Sequence, residues 1–462
     1  MISLCLSFLA AAALTMAAGA GLVALFAPAR LYPPECIALS WLFGSMSVSL
    51  GLWLCSFLFH GLALQCAITL LCLSLGTIAF LRRKSHRSIR LTTWDRVLWT
   101  LLFVQFVAVF YCSFKHTLGW DGLLNWEFKA HMAYESGGRL PSAYFADHER
   151  AFSHPEYPLG IPNLELWFYL WLGEANQFWI KAIFPLFYVA GTLLLVSLIE
   201  RFSQRRILAL ISGLLFFFVP QFLVNPGAAV TGYADFPLAI FYLGAIGFLI
   251  LGDQDQEWFR LAVFFLTFLP WLKREGIVLW SAGTICAFLF RRGRSLGKTI
   301  FGVSGGLLVF LCWETYLLAN HFAASDFGAV KLENSNRLLP TLLALVRDLF
   351  DVQSWSLLWY GAIAGLLILF RQSNFQRGLV LLLAIAIPLS FDVFVYLFSA
   401  WPDYLRHVDL SLSRLVMQVA PVAFLLTSCA AAIVVPDPAK TRTAGVGSDP
   451  SGSLSRGEEP AV

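Results

Sequence analysis

The chain is predicted to be an all-α polytopic membrane protein, and three observations predict it. Hydrophobic residues make up 58% of its 462 residues and charged residues only 13%, where a soluble globular chain carries roughly 25% charge. The mean hydropathy is +0.72, more apolar side chain than an aqueous fold can bury. Apolar runs long enough to cross a bilayer recur along the chain, separated by short basic clusters. The 42 Phe and 16 Trp suit a lipid-facing surface with interfacial anchors. The net charge is only +4, and basic residues gather in short clusters between apolar runs, a topology signal and not a nucleic-acid surface. The 9 cysteines show no CxxC and no regular spacing, so neither a zinc site nor a disulfide framework is indicated.

Crossing runs fall near 3–26, 36–58, 62–81, 97–115, 177–199, 207–225, 236–252, 258–272, 276–290, 298–318, 354–370, 377–398 and 416–435, about thirteen in all. The first lacks the positive start of a signal peptide and exceeds a signal-peptide core, so it reads as a membrane helix. The run 158–173 opens with prolines and is short. It reads as a partial or re-entrant helix, tolerated only inside protein or beside a water-filled cavity. Basic clusters at 82–90, 201–206, 291–298, 371–377 and 440–442 orient the set. They put the N-terminus outside, the C-terminus inside, and 118–176, 226–235, 319–353 and 399–415 outside. LKREG at 272–276 then falls outside, against the positive-inside tendency, which hints that its charges have a task. The tail 436–462 is polar and rich in Pro, Gly and Ser, and is expected to be a disordered cytoplasmic segment.

The large first external loop, 118–165, is the one long polar interval in the first half. Two to eight residues would suffice to join two helices, so the loop is expected to carry the site. Asp121 follows a crossing helix and Trp120. A carboxylate there can accept a proton from a nucleophilic hydroxyl or amine. Trp126, Ala130, Ala133 and Tyr134 recur at helical spacing, with Glu127, Lys129 and His131 between them. This predicts an interfacial helix with one face in the headgroups, ended by Gly137–Gly138. His154-Pro155-Glu156-Tyr157-Pro158 predicts a stiff, extended lead-in to the next segment.

Three further outer intervals carry polar groups. Tyr233-Ala234-Asp235 presents a second carboxylate at a helix start, equally readable as a helix cap and as a site residue. Lys273-Arg274-Glu275-Gly276 cuts an apolar stretch. Its cations suit a phosphate or pyrophosphate, or snorkel to lipid headgroups. The stretch 401–414 runs into the last helix. His407, Arg414 and Gln418 share one face if that helix begins early, and they suit a phosphate leaving group; ordinary interfacial anchoring is the alternative. There is no G-x-x-x-x-G-K-[ST] loop, no G-x-G-x-x-G turn, no G-x-S-x-G elbow and no H-E-x-x-H pair. Nucleotide-driven chemistry lacks support, and a membrane-embedded donor fits better.

Asp121, the HPEYPLGIP run from His154 to Pro162, Tyr233-Ala234-Asp235, Lys273-Arg274-Glu275-Gly276 and His407 with Arg414 form a pattern. It resembles the membrane-bound GT-C glycosyltransferase superfamily, nearest the dolichyl-phosphate-mannose-protein mannosyltransferase-like branch that includes the aminoarabinose transferases. The resemblance covers roughly 95–420. It differs from many relatives in having Gly122, not a second acid, after Asp121, and in the extra helices of 1–94. It implies a transmembrane catalytic domain over 95–435 and an inverting transferase that takes a sugar from a polyprenyl-phosphate donor. By the same resemblance the acceptor would be a lipid, glycan or protein on the outer face of a bacterial inner membrane. It implies Asp121 as the base or the acid that orients the acceptor, Asp235 assisting from the second loop, and Lys273, Arg274, His407 and Arg414 on the donor phosphate. Trp120, Glu127, His154, Glu156, Tyr157, Tyr233 and Gln418 would line the substrate pocket. No metal ligand is assigned, although two carboxylates can serve a divalent metal as well as a proton. The rival readings are a transporter or flippase for a lipid-linked sugar, which would carry mid-membrane charges and repeated halves, and an O-antigen ligase-like enzyme.

Overall fold

The computed structural model describes residues 2–28, 31–82, 91–252, 255–290, 295–322, 332–372, 375–399, 401 and 403–435. The tail 436–462, the 440–442 cluster, Pro402 and parts of the basic clusters at 82–90, 291–298 and 371–377 lie outside the described residues. The described residues form a helical protein in which 8 helices are long and apolar enough to cross a membrane. This is the architecture of a polytopic membrane protein.

The first three helices, α1 (Ile2–Phe26), α2 (Pro33–Cys55) and α3 (Gly61–Leu81), pack together. Apolar side chains gain little by leaving lipid for one another, so close backbone approach drives such contacts. A Cβ at Gly19 would stand 1.8 Å from the Ser40 carbonyl oxygen, and one at Gly44 1.9 Å from that of Thr15. Two glycines thus let α1 and α2 touch. The helix α4 (Thr93–Lys115) opens on a reciprocal cap. The Thr92 N–H donates to Asp95 Oδ2 (2.8 Å) and the Asp95 N–H to Thr92 Oγ1 (3.2 Å).

The segment after α4 holds a π-helix (Gly122–Glu127), α5 (Phe128–Glu135), α6 (Ser142–Ala146), a 3-10 turn (His148–Ser153) and α7 (Gly160–Leu172). At 13 residues α7 is about 20 Å long, short of the roughly 30 Å hydrocarbon core. Protein surrounds it. Ser49 Oγ of α2 donates to the Gly160 carbonyl (2.6 Å), Asn163 Nδ2 to the Ser49 carbonyl (3.2 Å) and Trp167 Nε1 to the Ala11 carbonyl (3.2 Å). The expected interfacial helix is different in kind. Trp126, Ala130 and Ala133 are buried, and α5 packs on α7, so that face sits in protein and not in headgroups.

Then come α8 (Gln177–Ile180), α9 (Ile183–Ser203), α10 (Arg206–Phe216), α11 (Pro220–Leu223), α12 (Asp235–Leu251), α13 (Gln256–Leu272), α14 (Gly276–Leu289) and α15 (Leu296–Ala319). The C-terminal set is α16 (Leu338–Leu349), α17 (Val352–Trp355), α18 (Leu358–Arg371), α19 (Phe375–Leu397) and α20 (Tyr404–Val434). The span over α8 and α9 is central, with 89% of its apolar window buried, against 17% for α3 and 22% for α4 and α15. The expected crossing at 207–225 is not one helix. Pro220 holds Val219 extended (φ −100, ψ 102), so α10 stops at Phe216 after 11 residues. The last helix begins earlier than its apolar run. Asp403 Oδ1 accepts the Arg406 N–H at 3.1 Å and starts a helix of 31 residues, about 46 Å long.

Replacing Gly44 by Leu should wedge α1 off α2 and cost about 1–3 kcal/mol. Leu at Gly297, where a Cβ meets nothing within 4 Å, should be near neutral. Thermal midpoints in one detergent measure both. Equal midpoints would mean that α1 and α2 do not touch there.

Candidate active site

The site is built from the ends of α4, α12 and α13 and from one face of α20. Asp235 opens α12 and is 0% exposed, so its charge must be met inside the protein. Three donors meet it. Lys273 Nζ lies 2.8 Å from Asp235 Oδ1, Arg414 Nη2 3.1 Å from Oδ2, and Gln418 Nε2 3.3 Å from Oδ1. Lys273 is the residue at which α13 ends, in extended backbone (φ −157, ψ 154), and its ammonium also reaches Glu275 Oε1 at 3.0 Å. Burial alone would lower Lys273, but the carboxylates of Asp235 and Glu275 outweigh it and hold the ammonium above the usual lysine range. Arg414 and Gln418 stand four residues apart on α20 and so share a face. The Arg414 guanidinium lies over the Tyr233 ring, 4.7 Å from its centroid.

Asp121 joins through Arg414, whose Nη2 lies 2.5 Å from Asp121 Oδ2. The segment carrying it is pinned to the turn before α12, where the Gly119 N–H donates to the Thr231 carbonyl at 2.8 Å. A Cβ on Gly122 would stand 2.5 Å from that same carbonyl oxygen. An acidic side chain at 122 would therefore push Asp121 away from Arg414, which accounts physically for the glycine there. Asp121 then leads into the π-helix, a wide turn often found at functional sites.

An aromatic wall completes the arrangement. Trp126 and Tyr157 stack at 5.6 Å with planes 7° apart, and His154 stacks on the same tyrosine at 5.1 Å. Tyr157 donates its hydroxyl to Glu275 Oε1 at 3.2 Å. Burial first, then Glu275, raises the Tyr157 phenol well above its ordinary value, so it stays a donor. Behind the wall lies Lys129, fully buried. Its Nζ donates to Asn125 Oδ1 and to the His154 carbonyl, both at 2.7 Å, and sits 5.3 Å from the Trp126 ring centroid. Burial pulls this amine down to about 7, against the opposing pull of Glu156 and Asp121.

Of the residues singled out in the sequence, Asp121, Asp235, Lys273, Arg414, Gln418, Tyr233 and Tyr157 come together. Others point elsewhere. Arg274, next to Lys273, turns outward to Glu314 on α15 at 3.4 Å. His407 pairs with Ser399 Oγ at 2.8 Å and stacks on Trp401. Glu127 accepts from Tyr169 and Gln177 and ties the π-helix to α7 and α8. Glu156 accepts Trp313 Nε1 on its carbonyl, and its carboxylate faces His154 at 3.4 Å. Trp120 is 70% exposed. Glu275 was missed, although it lies inside the charged break, because only the two cations there were weighed. Lys129 was missed because alternation with apolar residues made it look like a solvated face. No group of three His, Cys, Asp or Glu side chains suited to a metal ion occurs among the described residues.

No known protein family, no curated protein and no solved structure matches this chain.

Lys273→Met should leave the Asp235 carboxylate short of charge and cost about 3–5 kcal/mol, while Arg274→Met should cost under about 1 kcal/mol. Thermal unfolding in detergent ranks the two, and the reverse order would contradict the network. Lys129 gives a pH test. The unfolded chain keeps this proton up to about 10.4 and the folded chain only up to about 7. Rising pH therefore stabilises the fold between those values, by up to about 1.4 kcal/mol per unit. The stability difference between wild type and Lys129→Met should grow in favour of wild type over that window. A difference that is flat with pH would place the titration of Lys129 elsewhere.

Proposed function

We propose that the chain is an inverting glycosyltransferase that moves a sugar from a polyprenyl-phosphate donor to an acceptor on the outer face of the membrane. The observation that carries this reading is the unequal state of the two acids. Asp235 is 0% exposed and holds three donors, so it is fixed as the counter-charge that positions Lys273 and Arg414. Asp121 is 15% exposed and, among the described residues, ion-pairs with Arg414 alone, so it is the acid an acceptor can reach.

The chemistry follows in one displacement. An acceptor hydroxyl attacks the anomeric carbon as Asp121 takes its proton. The bond from that carbon to the phosphate oxygen breaks, and the polyprenyl phosphate leaves with the electron pair. Arg414 Nε is buried without a partner among the described residues, so one N–H remains to offer a phosphate oxygen. Lys273 adds positive charge behind it as the leaving group develops its own. Glu275 Oε2 is likewise unpartnered among the described residues and would suit a sugar or acceptor hydroxyl.

In this reading the apolar stretches that contain α10 with α11, α12, α13, α14 and α18, each helix taken with its flanking residues, also cross, which with the eight longer helices makes about thirteen spans. The basic clusters then face the cytoplasm of a bacterial cell and the carboxylate cluster faces out. Placement of the carboxylates at helix ends, where α12 starts and α4 has just finished, supports transfer over transport.

Mass spectrometry of envelope lipids, glycans and proteins tests this. Cells without the gene, and cells carrying Asp121→Asn at normal expression, should lack the same single-sugar increment. A glycan profile unchanged by deletion would end the transferase reading. Transfer retained in Asp121→Asn would remove Asp121 from it.

A further inference from the structure

We infer that a groove at the opposite end of the bundle binds an anionic phospholipid, its phosphate held by Arg205 and Arg377 and an acyl chain laid along α19 and α20. The groove has a volume of about 410 Å³, within the roughly 300–1,000 Å³ typical of small-ligand sites. One side of it is apolar, with Leu369 from α18, Leu381 from α19, and Leu425 and Ile433 from α20, and the other is polar, with Ser203, Gln204 and Arg205. Its rim carries Arg205 and Arg377, and no Asp or Glu lines it among the described residues.

That last point separates it from the cluster around Asp235, where Lys273 and Arg414 are met by carboxylates. Arg377 is exposed and makes no ion pair among the described residues. Arg205 spends Nη1 on the Val435 carbonyl at 2.5 Å and keeps its other N–H groups. Two guanidiniums without counter-charge among the described residues, beside an apolar trough, match a molecule with a phosphate at one end and hydrocarbon at the other. A free phosphate would use none of the wall, and a neutral lipid none of the cations. The location agrees. Ile250 lines the groove from the far end of α12, fifteen residues beyond Asp235 and about 22 Å along the helix. With the carboxylate cluster outward, the groove lies in the inner leaflet, where anionic lipids gather and basic pockets between helices hold their headgroups.

Native mass spectrometry of the full chain, released from nanodiscs with equal phosphatidylglycerol and phosphatidylcholine, reads this directly. Wild type should retain one phosphatidylglycerol in preference. Arg377→Gln should cut that preference about fivefold, and the double variant with Arg205→Gln about thirtyfold, with phosphatidylcholine adducts unchanged. If loss of the Val435 contact unfolds the double variant, Arg377→Gln alone decides, since its side chain is exposed. Inorganic phosphate should not raise the thermal midpoint, whereas phosphatidylglycerol should. Equal retention of the two lipids, indifference to Arg377→Gln, or stabilisation by phosphate alone would overturn the assignment. So would a preference that appears only after removal of residues 436–462, which would make the chain's own tail the occupant. None of these outcomes bears on sugar transfer, so the two readings fail separately.

Discussion

A carboxylate with no exposure cannot stand alone in a membrane-embedded protein. Asp235 begins a helix whose next fifteen residues are all buried, and its charge has no water to meet. Desolvation of such a group costs several kcal/mol and must be offset by partners brought from elsewhere. Here they come from the end of α13 and from the middle of α20. Satisfying one acid therefore fixes the relative depth of three helices. Arg414 then extends the constraint to Asp121 and, through it, to the loop after α4. Asp235 is thus the most constrained acid, and Asp121 stands at the edge of the network.

The loop that closes over this network is held from below as well as from the side. Ser49 on α2 serves as a junction. It donates to the Gly160 carbonyl at the start of α7 and accepts Trp271 Nε1 from α13, two residues before Lys273. The N-terminal helices thus fasten both the lead-in to α7 and the end of α13. The stacked pair Trp126 and Tyr157 carries the same order upward, because Tyr157 is bonded to Glu275 and Glu275 is paired with Lys273. Lys129 holds the far side of the stack by joining Asn125 to the His154 carbonyl.

Much of the fold was legible in the sequence, because a bilayer makes hydrophobicity a one-dimensional signal. Each apolar run contains a helix, and the polar loop before α7 supplies Asp121 and Tyr157 to the cluster around Asp235. Where the reading failed, a local or a three-dimensional fact won. At 207–225 a single proline divided one run into two short helices. On α5, periodicity correctly gave an apolar face but not what covers it, since lipid headgroups and α7 look alike from the sequence. The site was legible in part. Asp121, Asp235, Lys273 and Arg414 were marked because charge beside a greasy run is conspicuous. Which of two adjacent cations turns inward was not, as Lys273 and Arg274 differ only in the direction an extended backbone gives them. The pairing of Asp235 with Arg414 spans 179 residues, and no spacing rule reaches that far.

The most direct test of the network is a double-mutant cycle on Asp235→Asn and Lys273→Met, read as thermal stability in one detergent. If the two side chains meet in a buried pair, each single change strands its partner and the double change does not. The losses should then fall short of additive by about 2–3 kcal/mol. Losses that simply add would mean that Asp235 and Lys273 do not share a site, and the organisation described for this protein would not stand.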